Sequence, residues 1–279
     1  MITYLPVNSN RFAYLLQGGG HFVPPPLQNT YGIMGYMQII VDGIMTNYVD
    51  VGAGKTLLIL HGWGSNATMW GRVINELAKE NRVIAVDLPG FGKTDEPSIA
   101  WKVNDYAEFV KNFLDKIDVK KLHGILGHSF GGRVIIDMLD SGWNDAKKII
   151  FVDSAGVKHN TSKSWRSLVG NKLLGWARKI KPVREFIVDQ FGSDDYRAAT
   201  PMMREILKLT VSEDKTPQIE RIRGDVMIIW GENDKTTPLS DVEIFRRIEN
   251  SRVEIVAGAG HSVYLEKQDE VVKLIKEFL

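Results

Sequence analysis

Ser129 stands in Gly127-His128-Ser129-Phe130-Gly131, directly after an apolar run at 122–126. A serine so flanked suits attack on a carbonyl when a strand ends, reverses sharply and enters a helix with the serine at the tip. The glycines admit close packing of helix on strand, and the serine is expected in a strained backbone conformation. The plain alternative is a Gly-rich helix start that Ser129 merely caps. A nucleophilic hydroxyl needs a base, and that base an orienting carboxylate. Asp234 lies in Gly231-Glu232-Asn233-Asp234, after an apolar stretch at 225–230. His261 lies in Gly258-Ala259-Gly260-His261, after another at 252–256. Alone, each is an ordinary polar loop residue. Together, Ser129, Asp234 and His261 fall after three strand-like segments, and the chemistry they suit is acyl transfer through a covalent intermediate.

Such chemistry also needs donors for a developing oxyanion. His61-Gly62-Trp63-Gly64 follows the apolar run at 56–60. The backbone N–H groups of Trp63 and of Phe130, just after the serine, are the expected pair; one donor of this kind is worth about 10²–10³ in turnover. His61 and His128 adjoin these positions and are expected to brace the loops rather than act as the base. Phosphate-type matches compete. Gly54-Lys55-Thr56 and Gly92-Lys93-Thr94 resemble the end of a P-loop, but Val49 and Asp87 stand where its first glycine belongs. Gly62-Trp63-Gly64-Ser65-Asn66-Ala67 fits a dinucleotide fingerprint, with Asp87 placed for a ribose. That reading leaves Ser129 unexplained and has two strands ahead of its first unit.

The elements that must position these residues follow from periodicity. Strands at 38–41 and 45–51 flank an Asp42-Gly43 hairpin turn. Strand-like runs at 56–60, 82–86, 122–126 and 148–152 then alternate with helical pattern at about 68–80 and 102–117. Val134, Ile135, Met138 and Leu139 form an apolar stripe behind the serine. This order predicts a mostly parallel sheet covered by helices on both faces. Between 156 and 223 only helical pattern occurs: a run from Trp165 to Ile180, and Thr200-Pro201 as a helix start. Strands at 225–230 and 252–256 resume the alternation, with helices near 239–249 and at the C-terminus. The expected organisation is an N-terminal extension at 1–35, a core at 36–155 and 224–279, and a helical cap at 156–223. Arg11–Gln17 is expected as a short helix ended by three glycines.

The totals exclude several classes. The chain has 279 residues, 44% hydrophobic and 25% charged, with a net charge of +1, so nothing favours nucleic acid as a partner. With no Cys there is no disulfide framework, thiol nucleophile or Cys-based metal site. No apolar run is long enough to span a bilayer and no clear signal peptide opens the chain, which leads to the expectation of a cytoplasmic protein. Eight Lys and Arg without Asp or Glu between 158 and 184 make a basic cap face. Its ordinary explanation is a solvated surface, and its sharper one is contact with an anionic membrane surface.

Residues 37–279 resemble the α/β-hydrolase superfamily, in its capped esterase-like branch. The resemblance is carried by His61-Gly62-Trp63-Gly64, Asp87-Leu88-Pro89-Gly90-Phe91-Gly92, the Ser129 pentapeptide, and the Asp234 and His261 loops. It implies the α/β-hydrolase fold with a helical cap inserted after the sixth strand. It implies Ser129 as nucleophile, His261 as base then acid, and Asp234 as its orienting group, with Asp153 an alternative acid position in some members. A serine at 129 argues against the dehalogenases and epoxide hydrolases of the superfamily, which carry Asp there. Carbon–carbon bond hydrolases usually show Asn-Ser-Met at this turn and a Trp soon after the histidine, unlike His128-Ser129-Phe130 and His261-Ser262-Val263-Tyr264. The expected activity is hydrolysis of small-molecule carboxylic esters with small to medium apolar acyl groups, without cofactor or metal. Carbon–carbon or lactone hydrolysis on the same triad, and a non-catalytic receptor of this fold, are the alternatives.

Overall fold

The computed structural model describes residues 14–15, 21–22, 36–158 and 199–279. The chain divides into two compact units, 1–33 and 34–279. In the first, β1 (Tyr14–Leu15) and β2 (His21–Phe22) pair antiparallel, Tyr14 opposite Phe22. This corrects the helix expected at Arg11–Gln17 where it is described: Tyr14 and Leu15 are strand, paired with Phe22 and His21. The rest of that stretch lies outside the described residues.

The second unit is built on one eight-stranded sheet. Its strands are β3 (Tyr36–Val41), β4 (Ile44–Val51), β5 (Lys55–Leu60), β6 (Asn81–Val86), β7 (Leu122–His128), β8 (Ala146–Val152), β9 (Asp225–Gly231) and β10 (Arg252–Val256). They lie in the order β10-β9-β8-β7-β5-β6-β4-β3. β3 and β4 are antiparallel to each other and β4 to β6; every other pairing is parallel. The Asp42-Gly43 turn takes positive φ at both residues, 49° and 82°, as a tight hairpin turn demands.

Strand alternation divides the core into two. Leu58 and Leu60 of β5, Ile125 of β7, and Val226, Ile228 and Trp230 of β9 face one cluster. α2 (Val103–Lys116) and α3 (Phe130–Asp140) cover that face with Phe109, Phe113, Val134 and Ile135. Leu57, Ile59, Leu126, Met227 and Ile229 face the other, under α1 (Gly71–Leu77) and the C-terminal helix. Burying a side chain of this size stabilises by roughly 1.5–3 kcal/mol, so both layers weigh on the same sheet. The helix expected at about 68–80 is a 3₁₀ turn at Ala67–Trp70 followed by α1, opened by Asn66, whose side chain accepts the N–H of Thr68.

Of the expected cap, residues 156–158 and 199–223 are described. α4 (Pro201–Ser212) begins with Thr200 accepting the N–H of Met203 and Pro at its first turn, as expected, and α5 (Thr216–Ile219) follows. The helical run from Trp165 and the basic face beyond Lys158 lie outside the described residues. The helix expected near 239–249 is shorter: a 3₁₀ turn at Leu239–Asp241 and α6 (Val242–Phe245). α7 (Val263–Glu266) and α8 (Gln268–Phe278) end the chain. No described helix is long and apolar enough to cross a membrane.

Candidate active site

The turn after β7 forms because three polypeptide segments converge on it. Ser129 takes φ 47° and ψ −109°, and α3 starts at the next residue. Such a non-glycine conformation costs on the order of 1–3 kcal/mol, so its surroundings must hold it. They do so through the backbone: Ser129 N–H donates to Val152 O (3.1 Å), and its carbonyl accepts from Gly132 and Ala155 N–H (3.0 and 3.1 Å). The space is bounded by main chain. A side chain on Gly131 would place its first carbon 2.3 Å from the Leu60 carbonyl oxygen, and one on Gly127 would reach 2.7 Å from Gly131.

Parallel strands β7, β9 and β10 all deliver their loops to the same sheet edge, and there the predicted residues meet. His261 Nε2 lies 3.1 Å from Ser129 Oγ. His261 Nδ1 lies 2.8 Å from Asp234 Oδ2. The Asp234 side chain is fully covered, whereas His261 retains 23% exposure toward the site. Asp234 Oδ1 accepts the N–H groups of Thr236 (2.7 Å) and Thr237 (3.0 Å), and Oδ2 accepts Thr237 Oγ1–H (2.6 Å). Burial pushes the Asp234 carboxyl upward; hydrogen bonding and attraction from His261, with the Thr237 donors, outweigh it and hold the group below its ordinary value. Thr237, whose Oγ1 is also 3.3 Å from His261 Nδ1, was not singled out in the sequence. The signal present was Asp234-Lys235-Thr236-Thr237, the pattern of an Asx turn.

Neighbouring polar residues have other duties. Asp153, buried at φ 42°, accepts Gly231 N–H (2.8 Å) and Val263 N–H (3.3 Å), tying together the loops that carry Asp234 and His261. Burial, opposed by those donors and reinforced by the Asp234 charge, raises its carboxyl well above the ordinary range. His128 Nε2–H donates to the carbonyl of His261 (2.8 Å). Burial and the nearby His261 push His128 down to about 3, so it stays neutral. His61 Nδ1–H donates to Gly62 O, leaving Nε2 to accept Leu88 N–H at 2.9 Å. Both histidines brace loops, as expected. Asp87 accepts from Asn47, Ala67 N–H and Lys93 N–H, so its carboxylate is engaged within the fold rather than offered to a ribose. Glu266 accepts Gly260 N–H at 2.8 Å and steadies the His261 loop.

Trp63 and Phe130 are brought together. Their rings lie 5.5 Å apart edge to face, with Phe91 4.8 Å from Trp63. Phe130 is the first residue of α3, where a backbone N–H has no intrahelical partner and the helix dipole favours negative charge. Among the described residues, no group of three or more His, Cys, Asp or Glu is disposed to hold a metal ion.

A sheet of this topology, with Ser, Asp and His after the parallel strands β7, β9 and β10, defines a hydrolase of the α/β type. Residues 57–274 match the family model of the alpha/beta hydrolase family, and the chain belongs to that family. Its relatives span different chemistries. The chain is 26% identical over 265 residues to the 2-hydroxy-6-oxo-2,4-heptadienoate hydrolase of Pseudomonas putida, covering 86% of this chain and 95% of that one. It is 26% identical over 259 residues to the monoacylglycerol lipase ABHD6 of Mus musculus, covering 82% and 76%. A crystal structure of a membrane phospholipase A shares the fold with a TM-score of 0.71 at 23% identity, over 88% of this chain and 85% of that one.

Proposed function

We propose that this protein is a serine hydrolase that cleaves carboxylic esters of small to medium apolar acyl groups through an acyl-enzyme on Ser129. The observation that carries the reading is the unbroken relay from Ser129 Oγ through His261 to Asp234, with contacts of 3.1 and 2.8 Å. In this mechanism Ser129 Oγ attacks the ester carbonyl while His261 Nε2 takes its proton. Asp234 keeps Nδ1–H directed inward and stabilises the imidazolium. The oxyanion forms against the N–H groups of Phe130 and Trp63. His261 then protonates the departing alcohol, and a water activated by the same imidazole releases the acid. Labelling with a fluorophosphonate, followed by peptide mapping, tests the proposal. An adduct on Ser129 that Ser129→Ala abolishes is expected; folded wild-type protein without an adduct refutes it.

The second reading is hydrolysis of a carbon–carbon bond or a lactone on the same triad, which the resemblance to the Pseudomonas putida hydrolase favours. The turn residues His128 and Phe130, and Tyr264 after the histidine, speak for the ester reading, as does the resemblance to the monoacylglycerol lipase. Turnover of nitrophenyl esters, compared with that of a 2-hydroxy-6-oxo-dienoate and a lactone, separates them. Rates at least about a hundredfold higher on the esters, a gap of about 2.7 kcal/mol in barrier, support ester cleavage. The reverse order assigns the second reading.

A further inference from the structure

A buried cluster of charges lies where the segment between β8 and β9 leaves the sheet and returns. Lys215 Nζ is 2.7 Å from Asp137 Oδ1 and also pairs with Glu213 Oε2. Asp137 sits on α3, two turns beyond Ser129. Glu213 Oε1 accepts the N–H of Val103, the first residue of α2, at 3.2 Å, and its carbonyl accepts Arg133 Nη1–H at 2.9 Å. Arg133, Asp137 and Lys215 are only 6%, 7% and 5% exposed. Ionic groups this deep stabilise poorly for what they cost to desolvate, and their best-attested use is to specify one arrangement among several.

The arrangement here joins α4 to the active site. Lys215 N–H donates to Gly156 O at 2.8 Å, which closes the two ends of the inserted segment on each other. Ala155, one residue earlier, donates its N–H to the Ser129 carbonyl at 3.1 Å. Gly156 is packed so tightly that a side chain there would lie 3.0 Å from Ile219 Cδ1 and 3.2 Å from Ile136 Cδ1. α4 ends at Ser212, immediately before Glu213, so the cluster pins its C-terminal end. Its N-terminal end is pinned separately. Thr200 Oγ1–H donates to Glu96 at 2.6 Å, and Met203 fills the space beside Gly90, where an added carbon would lie 2.3 Å from Met203 Sδ. The next residue, Phe91, packs on Trp63 beside the expected oxyanion site.

We infer that Lys215, held by Asp137 and Glu213, is a positioning residue that registers α4 as one wall of the acyl site over Ser129. The inference rests on the ester-cleaving reading given above. α4 is a rod of 12 residues, about 18 Å long, so a shift at the Lys215 end tilts Met203 at the other. Longer acyl chains sample that wall, whereas an acetyl group does not reach it. Lys215 therefore governs chain-length preference, and the chemistry at Ser129 proceeds without it.

Kinetics on nitrophenyl esters from acetate to octanoate, with Ser129 titrated in parallel by a fluorophosphonate, test this. Glu213→Gln weakens one arm of the cluster at a side chain that already reaches solvent. The pair Asp137→Leu with Lys215→Met removes the charged contact without stranding either partner. Both proteins are expected to label at Ser129. Their KM for octanoate should rise about tenfold while that for acetate moves less than about threefold; Lys215→Arg should stay within about threefold on both. An unchanged chain-length profile in Glu213→Gln and in the paired variant overturns the inference, and Glu213→Gln decides alone where the paired variant does not fold. Absence of labelling in the wild type is a different outcome, because it removes the ester reading itself.

Discussion

Asp234 and Asp153 are both buried carboxylates behind His261, yet their surroundings give them different tasks. Asp234 receives three hydrogen bonds from Thr236 and Thr237 and faces the imidazole at 2.8 Å; Asp153 receives main-chain N–H groups of two different loops. Asp234→Asn should leave the fold intact and lower kcat about 10³–10⁴-fold, since an amide no longer selects the productive imidazole tautomer. Asp153→Asn should act on stability instead. Its amide nitrogen would confront a backbone N–H, which costs about 1–3 kcal/mol for the donor left unsatisfied. Chemical denaturation and ester kinetics on the two variants check the contrast, and a larger rate loss in Asp153→Asn would reverse the assignment. Thr237→Val belongs to the same scale. Losing the Oγ1 donor to Asp234 should cost about 1.5–3 kcal/mol of support for the carboxylate, the usual worth of a bond to a charged group, read as a fall in kcat rather than a rise in KM.

At the scale of elements, the turn between β7 and α3 is a steric construction. Gly131 has ordinary backbone angles, so its need is for space alone: Leu60 O and His61 O stand 2.3 and 2.8 Å from where a side-chain carbon would be. Gly131→Ala should force α3 off β5 and destabilise by at least about 1–3 kcal/mol, the usual penalty for overpacking. A thermal melt, with fluorophosphonate labelling as the reading of Ser129, checks this. Labelling should fall even in the folded fraction, because α3 carries both the Ser129 backbone support and the Phe130 N–H.

For the whole molecule, pH and stability are linked through histidines kept neutral by the core. In the unfolded chain His128 takes up a proton near pH 6.5, while in the folded protein it does so only near pH 3. Between those values the unfolded state binds more protons, so stability falls as pH drops from about 6.5 toward about 3 and flattens below. Each unit of such a shift is worth about 1.4 kcal/mol, so the full effect is a few kcal/mol. His61, likewise lowered by burial, adds in the same direction. His128→Gln keeps a donor for the His261 carbonyl but cannot titrate. Its stability should decline less steeply than the wild type's between pH 7 and 4 in urea unfolding, and equal slopes would contradict the linkage. Trp70, fully buried and stacked on Tyr264 at 3.9 Å, supports the same corner; Trp70→Ala should cost about 3–5 kcal/mol.

The sequence by itself determined the sheet and which residues reach its edge. Alternating apolar residues in 56–60 and 225–230 must face both ways in a sheet buried on both sides. Ser129, Asp234 and His261 each follow such a strand, so a parallel sheet brings their loops to one edge. Those are local patterns, and local patterns are legible. Contacts between distant segments are not, because no spacing in the chain encodes them. Which carboxylate meets His261 depends on loop paths: Asp153 and Asp234 follow adjacent strands, and only the folded backbone directs one to the imidazole and the other to Gly231 and Val263. Thr237 was hidden for the same reason, as a turn residue whose partner is set by the turn's geometry. Lys215 was invisible as anything but a surface lysine until the fold enclosed it between Asp137 and Glu213, 78 and 2 residues away. Tyr14 and Leu15 are strand rather than helix, because they pair with Phe22 and His21, a contact that helical spacing does not encode. The residues of the site are therefore written along the chain, while the supports that aim them exist only once strands far apart in sequence lie side by side.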